Sequence, residues 1–136
     1  MKHYDILNNG LVESPGGPGV VVVASAPTDQ ECMLFKEFFR LDDYDLRSTL
    51  DADEVPRLDC SNGRLFLIWK VPESASVSGV VELGISTLGI CLIKDRLLLI
   101  RTSGDVDLTE REFRDVGTAT DVMLALLLRT VRHFVG

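Results

Sequence analysis

The chain is poor in the residues that most enzyme and metal chemistry depends on, with two histidines, three cysteines and one tryptophan in 136 residues. Cys32, Cys60 and Cys91 are odd in number and widely spaced, with no Cys-x-x-Cys pair and no neighbouring histidine. That excludes a recognisable zinc set and fits a reduced, cytosolic setting. His3 and His133 stand at opposite ends with no motif around them, so neither reads as a catalytic base. Gly-x-x-x-x-Gly-Lys-Ser/Thr, Gly-x-Gly-x-x-Gly, His-Glu-x-x-His and Gly-x-Ser-x-Gly are all missing. Gly16, Gly17 and Gly19 precede a strand, whereas a phosphate loop follows a strand and opens a helix. No apolar run reaches the roughly 18 residues of a membrane span. Arg129 and Arg132 interrupt the richest candidate, and MKHYDILNNG lacks the apolar centre of a signal peptide.

Positive charge is scarce too: 14 Lys and Arg against 21 Asp and Glu leave a net charge of -7. A phosphate backbone or anionic lipid would be repelled on average, so nucleic acid is not an expected partner. Cations, or a basic surface on another subunit, are the better electrostatic complement. What the chain does have is enough apolar material, 46% hydrophobic with 26% charged, to bury a core. The length suits one domain over residues 1–136.

Ser14 to Gly19 is a turn cluster, and the apolar run from Val20 to Ser25 reads as a buried strand. Thr28 with Glu31 makes a capping box that starts a helix near Asp29, with Leu34, Phe35, Phe38 and Phe39 on its buried face and Leu41 just beyond. A second helix is expected from Asp43 to Leu50 with Tyr44 and Leu46 inward, then a strand from Arg57 to Cys60. Asn62-Gly63 signals a hairpin into a central strand from Arg64 to Val71. PESASVSG reads as a polar loop. VVELGIS, LGICLI and LLLIR read as strands, the last two joined at Lys94-Asp95-Arg96. A short helix from Thr109 to Asp115 should be broken by Gly117 to Thr120, where Thr118 or Thr120 caps a last helix from Asp121 to Phe134. That helix is apolar nearly all round, so more than one surface should cover it, a second subunit included. The order of elements points to a layered α/β (α+β) sandwich, a mixed and largely antiparallel sheet flanked by helices.

Carboxylates are the one chemically suggestive feature. Asp51, Asp53 and Glu54 crowd before Pro56, close behind Asp42, Asp43 and Asp45. Such a cluster can hold a hard divalent cation, supply a general acid and base, or keep a loop in water. An EF-hand is excluded, because the sixth-position glycine and twelfth-position glutamate are missing. The solvated loop is the default.

The run KEFFRLDDYDLRSTLDADEVPRLDCSNGRLFLIWKV resembles the N-terminal cytoplasmic domain of the CorA-type magnesium and cobalt transporter family. Phe39-Arg40-Leu41 stands where the family has Phe-Gly-Ile, and Leu46 where its leucine precedes a Glu-Asp pair. Val55-Pro56-Arg57 stands for Arg-Pro-Lys, and Arg64 to Val71 for the apolar strand. LGICLIKDRLLLIR resembles the family's hairpin, and ATDVMLALLLRTVRHFVG the helix that leads to its stalk. The likeness covers nearly the whole chain, more loosely before Val20. Asp42, Asp43 and Tyr44 replace His-Pro-Leu, while Arg47 and Ser48 replace the Glu-Asp pair whose aspartate serves an intersubunit regulatory metal site.

The resemblance implies a cytoplasmic funnel domain of a pentameric, non-enzymatic transporter for magnesium, cobalt or, in a sister branch, zinc. It would couple cytosolic cation level to pore gating, with the cation as cargo or regulator. Any regulatory site would draw on Asp42, Asp43, Asp45, Asp51, Asp53 and Glu54 or on another subunit. The family's two pore helices, the first ending in Gly-Met-Asn, are not in this segment. The alternative is a stand-alone soluble interaction module with the same fold.

Overall fold

The computed structural model describes residues 1–136 apart from 16–18, 62, 78–79, 103, 105, 110 and 136; for residues 73–77, 80–83 and 133–135 it describes the backbone alone. Val21–Ser25 (β3) is the strand expected from the valine run, and Lys2–Leu7 (β1) and Gly10–Glu13 (β2) form a hairpin ahead of it. Then come the helices Asp29–Phe39 (α1) and Asp43–Thr49 (α2) and four strands, Arg57–Ser61 (β4), Arg64–Val77 (β5), Val80–Ile93 (β6) and Arg96–Arg101 (β7). A single 3₁₀ turn, Arg111–Phe113, precedes the last helix, Ala119–Val135 (α3).

The strands make one sheet in the order β2-β1-β3-β7-β6-β5-β4. Only β3 and β7 pair in parallel, Val22 opposite Leu98; every other neighbouring pair is antiparallel. The fold is therefore a mixed, largely antiparallel sheet between helical layers. Strand alternation decides which residues meet which layer. Val22, Ala24, Phe66, Ile68, Cys91, Leu98 and Ile100 pack with Phe35, Phe39 and Leu46 of α1 and α2. Val21, Val23, Leu88, Ile90, Leu97 and Leu99 pack with Val122 and Leu126 of α3 and with Val106, Leu108, Phe113 and Val116 before it. Central strands covered on both faces read as unbroken apolar runs, which is what VVVA and LLLI are.

Gly89 lets α2 come down onto the sheet. A Cβ there would collide with Thr49 Cγ2 and lie 2.7 Å from Thr49 Cβ. Thr49 itself is fully buried, its hydroxyl donating to the Leu46 carbonyl at 2.7 Å.

Several expectations need correction. PESASVSG is strand rather than loop as far as Val77, and VVELGIS and LGICLI are one strand. Residues of β5 beyond β4 and of β6 before β7 pair with each other as a two-stranded ribbon, so hydrogen bonding along the partner outweighs their polar, β-poor composition. The helix expected at Thr109 to Asp115 shrinks to one 3₁₀ turn, and α3 begins two residues early. Leu34 and Phe38 are exposed at 43% and 48%, so α1 buries only the Phe35–Phe39 edge, those rings meeting edge to face. Tyr44 is 56% exposed rather than inward; its ring lies under the Arg57 guanidinium at 4.9 Å.

The β1–β2 hairpin was legible in principle: Asn8 and Asn9 take φ of 52° and 62°, a conformation Asn tolerates better than other side chains. The expected β4–β5 hairpin is present, Ser61 opposite Arg64 and Gly63 at φ 72°, while Asn62 lies outside the described residues. So do Gly16 and Gly17 of the first turn cluster.

Candidate functional site

The carboxylate segment folds around two arginines. Asp42 is the N-cap of α2, its Oδ1 accepting from the Asp45 amide at 2.7 Å, while Asp45 Oδ2 accepts from the Asp42 amide at 3.2 Å. This is a capping box, with aspartate at the third helical position in place of the usual glutamate. Asp45 then turns into the protein. Its side chain is 3% exposed and its Oδ2 lies 2.8 Å from Arg64 Nη2, itself on a side chain only 4% exposed.

Arg64 also donates from Nε to the Arg40 carbonyl at 3.0 Å and approaches Asp59 Oδ2 at 3.5 Å. Arg57 completes the group. It stands 3.7 Å from Asp45 Oδ1 and 3.8 Å from Glu54 Oε1, and donates to Ser48 Oγ at 3.1 Å. Both guanidinium groups lie over the Phe66 ring, at 5.4 and 5.5 Å. Burial pushes the Asp45 carboxyl up from its ordinary value, against the downward pull of the Asp42 amide and Arg64.

Asp43 faces outward and pairs with Lys36 of α1, whose hydrogen bond and charge hold its carboxyl below the usual range. The loop from Asp51 to Glu54 is fixed through its backbone. Lys70 Nζ donates to the Ala52 carbonyl at 2.9 Å and to Thr87 Oγ1 at 2.6 Å, and Thr87 Oγ1 donates to the Asp51 carbonyl at 2.9 Å. Asp51 Oδ1 accepts from the Asp53 amide at 2.9 Å, an Asx turn that leaves both side chains in water.

The six sequence candidates thus divide. Asp42 and Asp45 cap a helix, Asp45 and Glu54 face arginines, Asp43 faces a lysine, and Asp51 and Asp53 remain solvated. Among the described residues no three His, Cys, Asp or Glu side chains lie close enough to hold a metal ion. The sequence alone gives Arg57 and Arg64 no role in a site. The available signal was a charged residue opening an otherwise apolar strand, which must find a buried partner. Arg47 is exposed and Ser48 is buried against Arg57, so Ser48 serves the arginine group.

The same layered fold occurs in known structures, and the chain shares it. It superimposes on the structure of the soluble domain of CorA from Methanocaldococcus jannaschii with a TM-score of 0.61, over 98% of its own length and 57% of that chain. The fold is that of the CorA soluble domain. Identity there is 16%. Against the complete structure of the CorA magnesium transporter of the same organism, the TM-score is 0.51 with 18% identity, over 76% of this chain and 32% of that one. The chain therefore spans less than two thirds of either CorA chain. No sequence-family profile matches it, and no curated protein matches it in sequence.

Among the described residues no helix is long and apolar enough to cross a membrane.

Proposed function

We propose that the chain is the cytoplasmic domain of a CorA-like divalent metal ion transporter, for magnesium or cobalt, and that it couples cytosolic cation level to the gating of a pore carried elsewhere in the protein. The observation that carries this is the superposition on the CorA soluble domain over 98% of the chain. Gating would be a population shift: a cation binding one arrangement of subunits more tightly than another biases the ring towards it.

Within this proposal a cation site cannot be built from one chain's acid segment as it stands, because Asp45 is occupied by Arg64 and Asp43 by Lys36. Asp51 and Asp53 are the carboxylates left to face a cation, and a second copy would have to complete the coordination that a hard ion demands.

The test is to read the gene on either side of this segment and titrate the protein with magnesium and cobalt. Two apolar spans in the same frame, with a cation-dependent rise in unfolding temperature lost in Asp51→Asn/Asp53→Asn, support the reading. A frame without apolar spans rejects it in favour of the stand-alone interaction module. Spans without cation dependence retain the transporter and reject sensing through this loop.

A further inference from the structure

β4 ends the sheet on one side, with β5 as its one neighbouring strand among the described residues. Ser61 stands opposite Arg64 across a two-residue loop, a spacing at which those two residues exchange their backbone bonds. Alternation then turns the amides and carbonyls of Arg57, Asp59 and Ser61 towards β5 and those of Leu58 and Cys60 outward. Among the described residues no backbone group beyond β5 pairs with them.

Open strand edges are usually blunted by lysine, proline or a bulge. β4 instead carries Leu58 near its middle, 60% exposed and opposite Leu67 of β5, on the α3 side of the sheet. Arg57 and Asp59 flank it on the other side, their side chains 27% and 38% exposed and so still partly in water. One charge of each sign makes β4 neutral in a chain of net charge -7. Two copies can therefore meet along this edge without the repulsion that the overall acidity imposes.

We infer that β4 is a docking edge for the β4 of a second copy, paired antiparallel with Leu58 opposite the partner subunit's Leu58. The Leu58 amide then donates to the partner's Leu58 carbonyl and the Cys60 amide to the partner's Pro56 carbonyl, each bond repeated by the two-fold axis. Charge selects this register. It sets Arg57 opposite the partner's Asp59, whereas a register centred on Asp59 would set two aspartates face to face, which is destabilising. A two-fold contact closes at two copies, so it is separate from any ring built through α3 and does not depend on the transporter reading.

Sedimentation under reducing conditions, together with amide exchange on the isotope-labelled chain, reads the contact. A monomer–dimer equilibrium with Kd below about 1 mM is expected, the weak end for a small specific interface. As concentration rises the Leu58 and Cys60 amides should gain protection, while the Asp59 amide, bonded to β5, is protected throughout. Leu58→Lys should abolish the dimer and Leu128→Lys should leave it intact. Cys60→Pro removes an N–H that no bond to β5 uses, so it should lose the dimer and keep the fold; where it does not fold, Leu58→Lys decides. Leu58→Cys/Cys60→Ser should give a disulfide-linked dimer on mild oxidation, whereas the wild-type chain should not link through Cys60, which faces the partner's Pro56. A monomer at about 1 mM, a dimer indifferent to Leu58→Lys, or a dimer without added protection at Leu58 and Cys60 would overturn the assignment.

Discussion

Arg64 keeps a full charge on a side chain that is 4% exposed, and the acceptors around it make that burial tolerable. Removing one partner of such a pair strands the other. Arg64→Ala should cost about 3–5 kcal/mol, as for other broken buried ion pairs, read from urea denaturation. Asp45→Asn/Arg64→Met should cost less than the two single changes together, and strict additivity would show that the pair is not coupled.

Asp107 offers a pH test. The Thr109 hydroxyl and amide hold its carboxyl below the ordinary range. Its folded value is below its unfolded one, so the stability it adds is present above the ordinary carboxylate pKa of about 3.9 and is lost as pH falls through the lower folded value. Wild type should melt above Asp107→Asn at pH near neutral, and the difference should vanish in strong acid. Asp45, raised by burial, carries the opposite sign, so this difference isolates Asp107 where the whole acid curve does not.

At the scale of elements, α2 and α3 are held by contacts of different reach. α2 rests on Gly89, and Gly89→Ala should cost about 1–3 kcal/mol, as overpacking does, with amide shifts concentrated in α2 because the helix must lift off the sheet. α3 is tied at its start. Thr118 Oγ1 accepts from the Asp121 amide at 3.1 Å, Asp121 Oδ2 accepts from the Thr118 amide at 3.1 Å, and Asp95 of the β6–β7 turn accepts from the Ala119 amide at 3.2 Å. Thr118→Ala should cost about 1 kcal/mol of unfolding free energy by thermal melting.

These local devices were largely legible. The Thr28–Glu31 box, the valine run and the Lys94-Asp95 turn are short-range signals with one physical meaning each. Less legible was anything that depends on a distant partner. The extension of β5 and β6 is decided by their mutual pairing, not by PESASVSG. Asp42 and Asp45 looked like metal ligands because sequence shows neither Arg64 nor the capping geometry that turns Asp45 inward. The Phe38 side of α1 looked buried because periodicity gives the width of an apolar face but not how much of it the sheet can cover.

Over the whole molecule, apolar surface is left where layers end. Leu124, Leu128 and Val131 lie along the outer side of α3 and are each about half exposed, while Val122 and Leu126 are fully buried. In the ring that the proposed function calls for, this stripe would be a subunit contact. Sedimentation should then show association that Leu128→Lys reduces, and a monomer at every concentration would count against the contact.

The parallel pairing of β3 with β7 has a different kind of consequence. Strands β4 to β7 each pair antiparallel with their neighbours in sequence, so that meander can assemble early. β3 has no place beside β7 until Leu97 to Arg101 exist. During synthesis the ribosome therefore delivers the valine run, an uncharged β-branched stretch of the kind prone to aggregate, long before its docking strand. A chaperone that recognises extended valine-rich segments should bind nascent chains halted before Leu97 and release those halted well after Arg101.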